Sequence, residues 1–280
     1  MHLTAYHPRV SDDALKVLTN VIRTLIPPRR RKYPLTFIVA AILHRIDNGA
    51  KWRSLDSGEL PWHVAYDYFR RWSRDYVIET ANYLIVNMLR FLEAMARTVL
   101  GAPSPAANPG PPTLVVIDAV SLRSRVWGRR EDHGFDGYKR VKGVKRHAGT
   151  DARGHLLACV GSGAGANDGT RAPEVVAVAR ALGYAELTDA LGDGAYGSPR
   201  VQRACAALGV RLTSTTVPEA KRLKASGFVP IPKRWVRERT FAHLGFARGF
   251  AASHERLTRH VEAVAMWAHV GLALRQIEKR

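Results

Sequence analysis

Residues 113–118 read Thr113-Leu-Val-Val-Ile-Asp118, a short apolar run that ends at an acidic residue. A run of this length made of Leu, Val and Ile is typical of a strand buried inside a sheet. The pattern therefore predicts a buried β-strand, and Asp118 at its end is the first candidate for a functional side chain.

Strand and helix patterns alternate after this first strand. Further strands are predicted at 142–150, 155–161, 187–192 and 210–214, and helices at 171–182, 198–209, 232–244 and 254–278. We expect the first three strands to pair in antiparallel sequence. The order β-β-β-α-β-α-β-α predicts an α/β (α+β) fold, a mixed five-stranded sheet flanked by helices, which is the ribonuclease H-like order.

The first hundred residues show only helical periodicity. Four helices are predicted, at 11–26, 34–49, from 62 to beyond 72, and 77–100. Short helices with tight connections are compatible with a helix-turn-helix DNA-binding domain, and a plain helical bundle is the alternative.

A stretch rich in proline, glycine and alanine separates the two patterns. Residues 101–112 contain no residue that could build a core, so they are predicted to be a linker. The predicted organisation is a helical domain at 1–100, the linker at 101–112, and the sheet domain at 113–280.

The charge of the chain points to a polyanionic partner. Of 280 residues, 43 are Lys or Arg and 24 are Asp or Glu, which gives a formal net charge of +19. This excess favours nucleic acid first and an anionic membrane second. Because 46% of the residues are hydrophobic and 24% are charged, the composition is that of a globular protein and not of a disordered one.

Several other classes are excluded by composition. Two cysteines, Cys159 and Cys205, are too few for a disulfide scaffold or a structural zinc module. The first ten residues lack the apolar core of a signal peptide, and charged residues interrupt the apolar region 83–100. We therefore expect a soluble cytoplasmic protein that does not span a membrane.

Three acidic residues are the candidates for chemistry. Asp118 and Asp193 each follow a predicted strand, and Glu238 lies in a predicted helix. Each alone has an ordinary structural explanation: a cap, a turn, or an ion pair with Arg234. Together, carboxylates gathered by one sheet repel each other unless a hard cation lies between them, and Mg²⁺ prefers oxygen ligands.

Longer motifs surround these acids and extend over nearly the whole chain. The acidic motifs are Val115-Val-Ile-Asp-Ala-Val-Ser121, Leu191-Gly-Asp-Gly-Ala-Tyr-Gly197 and Arg234-Trp-Val-Arg-Glu-Arg-Thr-Phe-Ala-His-Leu244. A basic strand at 137–147 and N-terminal segments at 27–32, 52–55 and 68–72 accompany them. Together they resemble the bacterial insertion-sequence transposases of the DDE type, in the group called IS-five.

Two positions depart from the pattern of that family. Ile231 stands where the family has Tyr, and Gly245 stands where it has Lys or Arg. Both departures concern phosphate contacts and leave the three acids intact. The 45 residues from Asp193 to Glu238 (238 − 193) leave no room for an inserted β domain.

The resemblance implies an enzyme that binds the terminal inverted repeats of its element, cleaves the DNA and transfers strands to target DNA. Asp118, Asp193 and Glu238 would be the catalytic residues and would hold two Mg²⁺ ions, with Mn²⁺ able to substitute. A homodimer or higher oligomer on double-stranded DNA and a nucleoid-associated location are implied. The alternatives are a non-catalytic, regulatory DNA-binding relative and a ribonuclease H-like nuclease without strand transfer.

The candidate DNA contacts come from several segments. They fall into three groups: Arg29, Arg30, Arg31 and Lys32; Arg123, Lys142, Lys145 and Arg146; and Tyr196 and Arg234. A solvated loop is the simpler interpretation of the first group. Strand alternation allows only some of the second group to face one DNA groove.

Three further features point less strongly to function. His133 and His147 are not needed as bases, because paired metal ions themselves lower the pKa of the attacking group. The Gly161–Gly165 stretch lacks the residues of a nucleotide-binding loop. Asp168 is a minor alternative acid.

Overall fold

The computed structural model describes residues 6, 8–55, 60–100, 110–126, 128, 131–214 and 234–279, without the side chains of residues 97, 99, 100, 234, 235, 237 and 238. The chain divides into two compact units. The helical unit comprises 1–109, 243–254 and 262–280, and the sheet unit comprises 110–242 and 255–261. Most of the predicted linker, residues 101–109, lies outside the described residues.

The helical unit is built from the predicted N-terminal helices and from C-terminal ones. Its elements are α1 (Asp12–Leu25), α2 (Leu35–Asn48), α3 (Trp62–Arg74), α4 (Val77–Leu100), α8 (Arg248–Ala251) and most of α9 (Thr258–Ile277). The Ser11 side chain caps α1 by accepting a hydrogen bond from the Ala14 N–H, as its sequence position predicts. Among the described helices, none has the length and apolar composition required to cross a membrane.

The C-terminal helix α9 contributes to the core of the helical unit. Its consecutive residues 263–268 are all buried, so the helix is apolar on every side and must be covered all round. The Trp267 ring stacks 6.2 Å from that of Trp72, and His269 hydrogen-bonds Asn82 at 2.6 Å. The unit boundaries therefore differ from the predicted single domain at 113–280, because this long-range packing leaves no local signal.

The sheet unit contains the strands predicted from the sequence. Its strands are β1 (Leu114–Arg123), β2 (Gly134–Asp136), β3 (Val141–Thr150), β4 (Leu156–Gly163), β5 (Asp189–Gly192) and β6 (Arg211–Ser214). The helices are α5 (Ala172–Ala181), α6 (Pro199–Ala206) and α7 (Arg234–Gly245), of which 243–245 belong to the helical unit.

The strand order confirms the predicted fold class. The order is β2-β3-β1-β5-β6, and β4 also pairs with β3. β3 is antiparallel to β1, β2 and β4, whereas β1, β5 and β6 run parallel. This mixed sheet with helices is ribonuclease H-like. It has six strands where five were predicted, because β2 has three residues and is too short to show a periodic pattern.

The two faces of β1 have different neighbours. A Cβ on Gly149 of β3 would lie 2.8 Å from both Val115 and Val175 of α5, so α5 packs closely on the face that carries Val115. On the opposite face, Leu122 and Val144 pack with Val261. Since side chains alternate along a strand, Asp118 lies on the face opposite α5.

Glu79 of α4 generates a prediction about stability. Burial, with a smaller contribution from the charge of Glu262, raises the pKa of its carboxyl from 4.5 to about 8. In the unfolded chain Glu79 ionises near pH 4.5. Its contribution to the free energy of unfolding is therefore fully present below that pH and is lost as the pH rises to about 8. Glu79→Gln should stabilise the protein by about 3 kcal/mol at pH 7 and hardly at all at pH 4.5.

Urea denaturation of both proteins at the two pH values measures this difference. Glu186→Gln is the control because Glu186 is exposed, and it should change stability at neither pH. An equal effect of Glu79→Gln on stability at both pH values would contradict the raised pKa of the Glu79 carboxyl.

Candidate metal centre and nucleic-acid interface

The register of two parallel strands aligns two of the candidate acids. Val116 of β1 pairs with Leu191 of β5, and Asp118 and Asp193 each lie two residues further along. Carried on by these two residues, the register aligns Asp118 with Asp193. Paired residues of neighbouring strands share a face, and the strands lie about 4.8 Å apart. The paired positions end at Val116 and Leu191, and an extension of the register by two residues predicts that the two acids lie side by side at this edge of the sheet.

Local structure holds each of these acids at its position. Asp118 is half-buried within β1, and its Oδ1 accepts a hydrogen bond from the Ala119 N–H at 2.9 Å. Asp193 directly follows β5 and caps a short 3-10 turn by accepting the Ala195 N–H at 2.9 Å. Both residues keep part of their surface in contact with solvent.

The donor chemistry of the pair fits Mg²⁺. Carboxylate oxygens are the ligands that hard divalent cations prefer, and a cation between them relieves their repulsion. Among the side chains that the structure describes, no group of three His, Cys, Asp or Glu is placed to hold a metal ion. The third predicted acid, Glu238, lies in α7, and its side chain is outside the described residues.

The helix that carries Glu238 is anchored to the sheet unit. Val236 and Thr240 are buried on one side of α7. The Thr240 hydroxyl donates to the Gly154 carbonyl at 3.0 Å, in the turn between β3 and β4. Arg234 begins the helix, one turn before Glu238, and its side chain is likewise outside the described residues.

Two of the predicted DNA contacts on β3 are buried. Lys145 is 5% exposed, and its Nζ contacts Asp168 at 2.6 Å, the Ala166 carbonyl at 2.8 Å and Asp136 at 3.5 Å. Arg146 is 1% exposed, and its Nε donates to the Val261 carbonyl at 3.2 Å. Both faces of β3 are covered, so these cations stabilise the fold and are removed from the DNA-binding candidates. Asp168 is engaged with Lys145 in the same network.

Tyr196 is also removed from the DNA-binding candidates. Its ring is fully buried and lies over Gly192, where a Cβ would approach the ring to 2.5 Å. The glycine therefore permits the close packing of the turn that follows β5. Tyr196 shapes the turn that holds Asp193.

Other predicted contacts are exposed. Arg123 and Lys142 lie on the surface of the sheet unit, and Arg29, Arg30 and Lys32 lie on that of the helical unit, with Arg31 half-buried. The sequence did not reveal that the cations of the helical unit lie beside aromatic and basic residues of α3. Arg29 and Arg71 lie 5.6 and 5.3 Å from the centre of the Tyr68 ring, and both line a pocket of about 230 Å³ with Arg31. The Arg-aromatic composition of α3 was the available signal.

His147 is not placed to act at the acid pair. Burial, with the charges of Lys145 and Arg171, lowers its pKa to about 3, so the ring is neutral at physiological pH. Its Nε2 forms a hydrogen bond with the Ser162 hydroxyl at 2.9 Å. Because it pairs with Ala119 and not with Asp118, it lies on the other face of the sheet.

Two family models match this chain. One, described as "Transposase DDE domain", matches residues 109–272, which is more than half of the chain and includes all three candidate acids. The other, described as "Putative transposase of IS4/5 family", matches residues 10–82 of the helical unit. Comparison with curated proteins finds no match.

The different environments of two lysines on β3 generate a second prediction. Lys145→Met should leave the carboxylates of Asp136 and Asp168 without their cation and destabilise the protein by about 3–5 kcal/mol. Lys142 lies on the same strand at an exposed position, so Lys142→Met should change stability by less than about 0.5 kcal/mol. Urea denaturation measures both. Equal losses in the two variants would contradict a structural role specific to Lys145.

Proposed function

Since the chain belongs to the family of DDE transposases, we propose that it binds the terminal inverted repeats of its insertion sequence and catalyses metal-dependent cleavage and transfer of their strands. The observation that carries this proposal is the parallel register of β1 and β5, in which Asp118 and Asp193 follow one paired position by the same two residues.

The three acids have one role in this proposal. Asp118 and Asp193, with Glu238 as the third, would hold two Mg²⁺ ions, and Mn²⁺ would substitute. The metal supplies a lowered pKa for the attacking group and stabilises the charge on the attacking and leaving oxygens. The carboxylates bring no proton relay of their own, and no histidine base is required.

Both chemical steps are the same displacement at phosphorus. In the first, a water oxygen bonds to the phosphorus at the element end, and the bond to the 3′-oxygen breaks. In the second, the freed 3′-hydroxyl oxygen bonds to a target phosphorus, the bond from that phosphorus to the target strand's 3′-oxygen breaks, and that oxygen leaves as a 3′-hydroxyl. One site therefore serves both. Joining two ends requires two copies of the site, so a homodimer or higher oligomer is proposed.

Exposed cations of both units would bind the DNA backbone. In the sheet unit these are Arg123 and Lys142, with Arg234 proposed from its position one turn before Glu238. In the helical unit they are Arg29, Arg30 and Lys32, and the half-buried Arg31 of the same segment is proposed with them. Phosphate contacts of this kind supply affinity that falls steeply with salt.

The exposed side of α3 supports a DNA-reading role for the helical unit. His63, Asp67, Arg70 and Arg74 are exposed and recur at the spacing that places them on one face of a helix. A polar helix face that includes arginines is the type of surface that contacts base edges in the major groove.

Substitution of the acids tests the catalytic assignment. Asp118→Asn, Asp193→Asn and Glu238→Gln should each reduce Mg²⁺-dependent cleavage of a duplex carrying the element's terminal repeat by at least about a hundredfold, because each removes a charged ligand. Duplex binding without metal should persist, since removing one of several crowded carboxylates relieves repulsion.

Asp189→Asn is the matched control for these substitutions. Asp189 begins the same strand, β5, and pairs with Arg211 at 2.7 Å, so this variant should cleave like the unmodified protein. Full cleavage by any of the three acid variants would remove that residue from the site. Nicked products without joined products would favour a nuclease, and binding without any cleavage would favour a regulatory relative.

A further inference from the structure

A second basic site lies in the sheet unit beyond the acid pair. A pocket of about 800 Å³ is walled by Arg123, Arg125, Arg140 and Lys142, and Phe135 contributes an aromatic ring. Among the described residues that line it, none is acidic. Arg123 lies five residues after Asp118 on β1, which corresponds to about 17 Å at the rise of a strand. By strand alternation the Arg123 side chain lies on the face opposite Asp118. Lys142, two residues before the Val144 that pairs with Leu122, lies on the face of Asp118, as does its partner Phe135. A DNA strand covers the distance from Asp118 to this end of the sheet in about five nucleotides at 3.4 Å each.

The hairpin that forms one wall of the pocket is fixed in shape. Asp136 accepts the N–H groups of Tyr138 and Lys139 at 3.1 and 2.9 Å and the Ser121 hydroxyl at 2.5 Å. Burial acts to raise the pKa of Asp136, but these hydrogen bonds and the charge of Lys145 lower it to about 2. Arg140 adopts a φ of 53°, which is uncommon for a residue other than glycine. Contacts of the buried Asp136 therefore fix the conformation of this turn, and its exposed tip residues are not needed to do so.

The tip of this hairpin exposes aromatic rings among cations. Phe135 is 58% exposed and Tyr138 is 96% exposed, so neither ring is committed to the core. Phosphates of a duplex need only the cations. Ring faces offer stacking to bases, whose faces are covered inside a duplex but free in a single strand, and cations with exposed rings are the usual composition of single-strand sites.

We propose that this pocket binds unpaired nucleotides of DNA, with one base stacked on Phe135 and the adjoining phosphates held by Arg123, Arg125, Arg140 and Lys142. The inference rests on the proposed function, since it names the part of the DNA substrate that this surface holds: a single-stranded segment close to the cleaved bond. Tyr138 offers a second stacking surface at the tip.

Binding of single-stranded DNA to the full-length protein tests the proposal. The probe is a fluorescein-labelled oligothymidylate of twelve nucleotides, measured by anisotropy with EDTA present. Phe135→Leu keeps an apolar side chain but removes the ring, and should weaken binding of this probe about tenfold. Binding of a random-sequence duplex should stay within about twofold, and Phe135→Tyr should restore the single-strand affinity.

A matched control and a charge variant separate stacking from electrostatics. Phe91 of α4 is 63% exposed and lies outside the pocket, so Phe91→Leu should change neither affinity. The logarithm of the affinity for the oligothymidylate falls with the logarithm of the salt concentration. Arg125→Gln should make the slope of this dependence less steep by about 0.7, whereas Phe135→Leu should leave the slope unchanged.

Three results would overturn the proposal. The first is a single-strand affinity of Phe135→Leu within twofold of that of the unmodified protein, and the second is an equal loss of affinity for single strand and duplex. The third is complete displacement of the oligothymidylate by an oligoglutamate of equal charge, which would indicate an acidic peptide site. The assay contains no metal, so it is independent of cleavage. A protein that shows the expected pattern but cleaves no DNA would contradict the proposed function and support the pocket.

Discussion

The parallel pairing of β1 with β5 is the constraint on which the proposed metal site depends. Val116 opposite Leu191 sets the register, and an extension of that register by two residues predicts the alignment of Asp118 with Asp193. A slip of β1 by one residue would turn Asp118 toward the face that packs on α5. The antiparallel ladder from β1 to β3, which pairs Asp118 with the small residue Ala148, holds β1 against such a slip from its other side.

Not every cation that contributes to the net charge of +19 lies on a surface that could bind DNA. Some cations are used inside the fold: Lys145 pairs with the buried Asp136 and the half-buried Asp168, and Arg146 donates to the carbonyl of Val261. Asp136 connects this interior network to the surface, because it contacts Lys145 and also shapes the hairpin that carries the exposed rings. The core and the proposed nucleotide site are thus coupled through one carboxylate, while Arg123 and Lys142 are exposed at the surface.

Local patterns in the sequence predicted most of the fold. The strand expected at 142–150 is β3 at Val141–Thr150, and the helix expected at 198–209 is α6 at Pro199–Ala206; both have clear periodicity and end signals. What the sequence could not show depends on contacts between distant segments. Whether a lysine on β3 faces solvent depends on what covers each face of the sheet, and the place of α9 in the helical unit depends on partners such as Trp72, nearly two hundred residues earlier. The sequence predicted that one sheet gathers the acids, and the pairing of β1 with β5 is consistent with that prediction.

Metal-directed backbone cleavage tests most directly whether the segments around Asp118, Asp193 and Glu238 form one divalent-metal site. Fe²⁺ is substituted for Mg²⁺, hydroxyl radicals are generated with ascorbate and peroxide, and the cut positions are mapped by mass spectrometry. If the three segments form one site, the cuts fall close to all three residues, excess Mg²⁺ suppresses them, and Asp118→Asn abolishes them. Cuts confined to one of these segments, or clustered around Asp136 and Asp168, would contradict it.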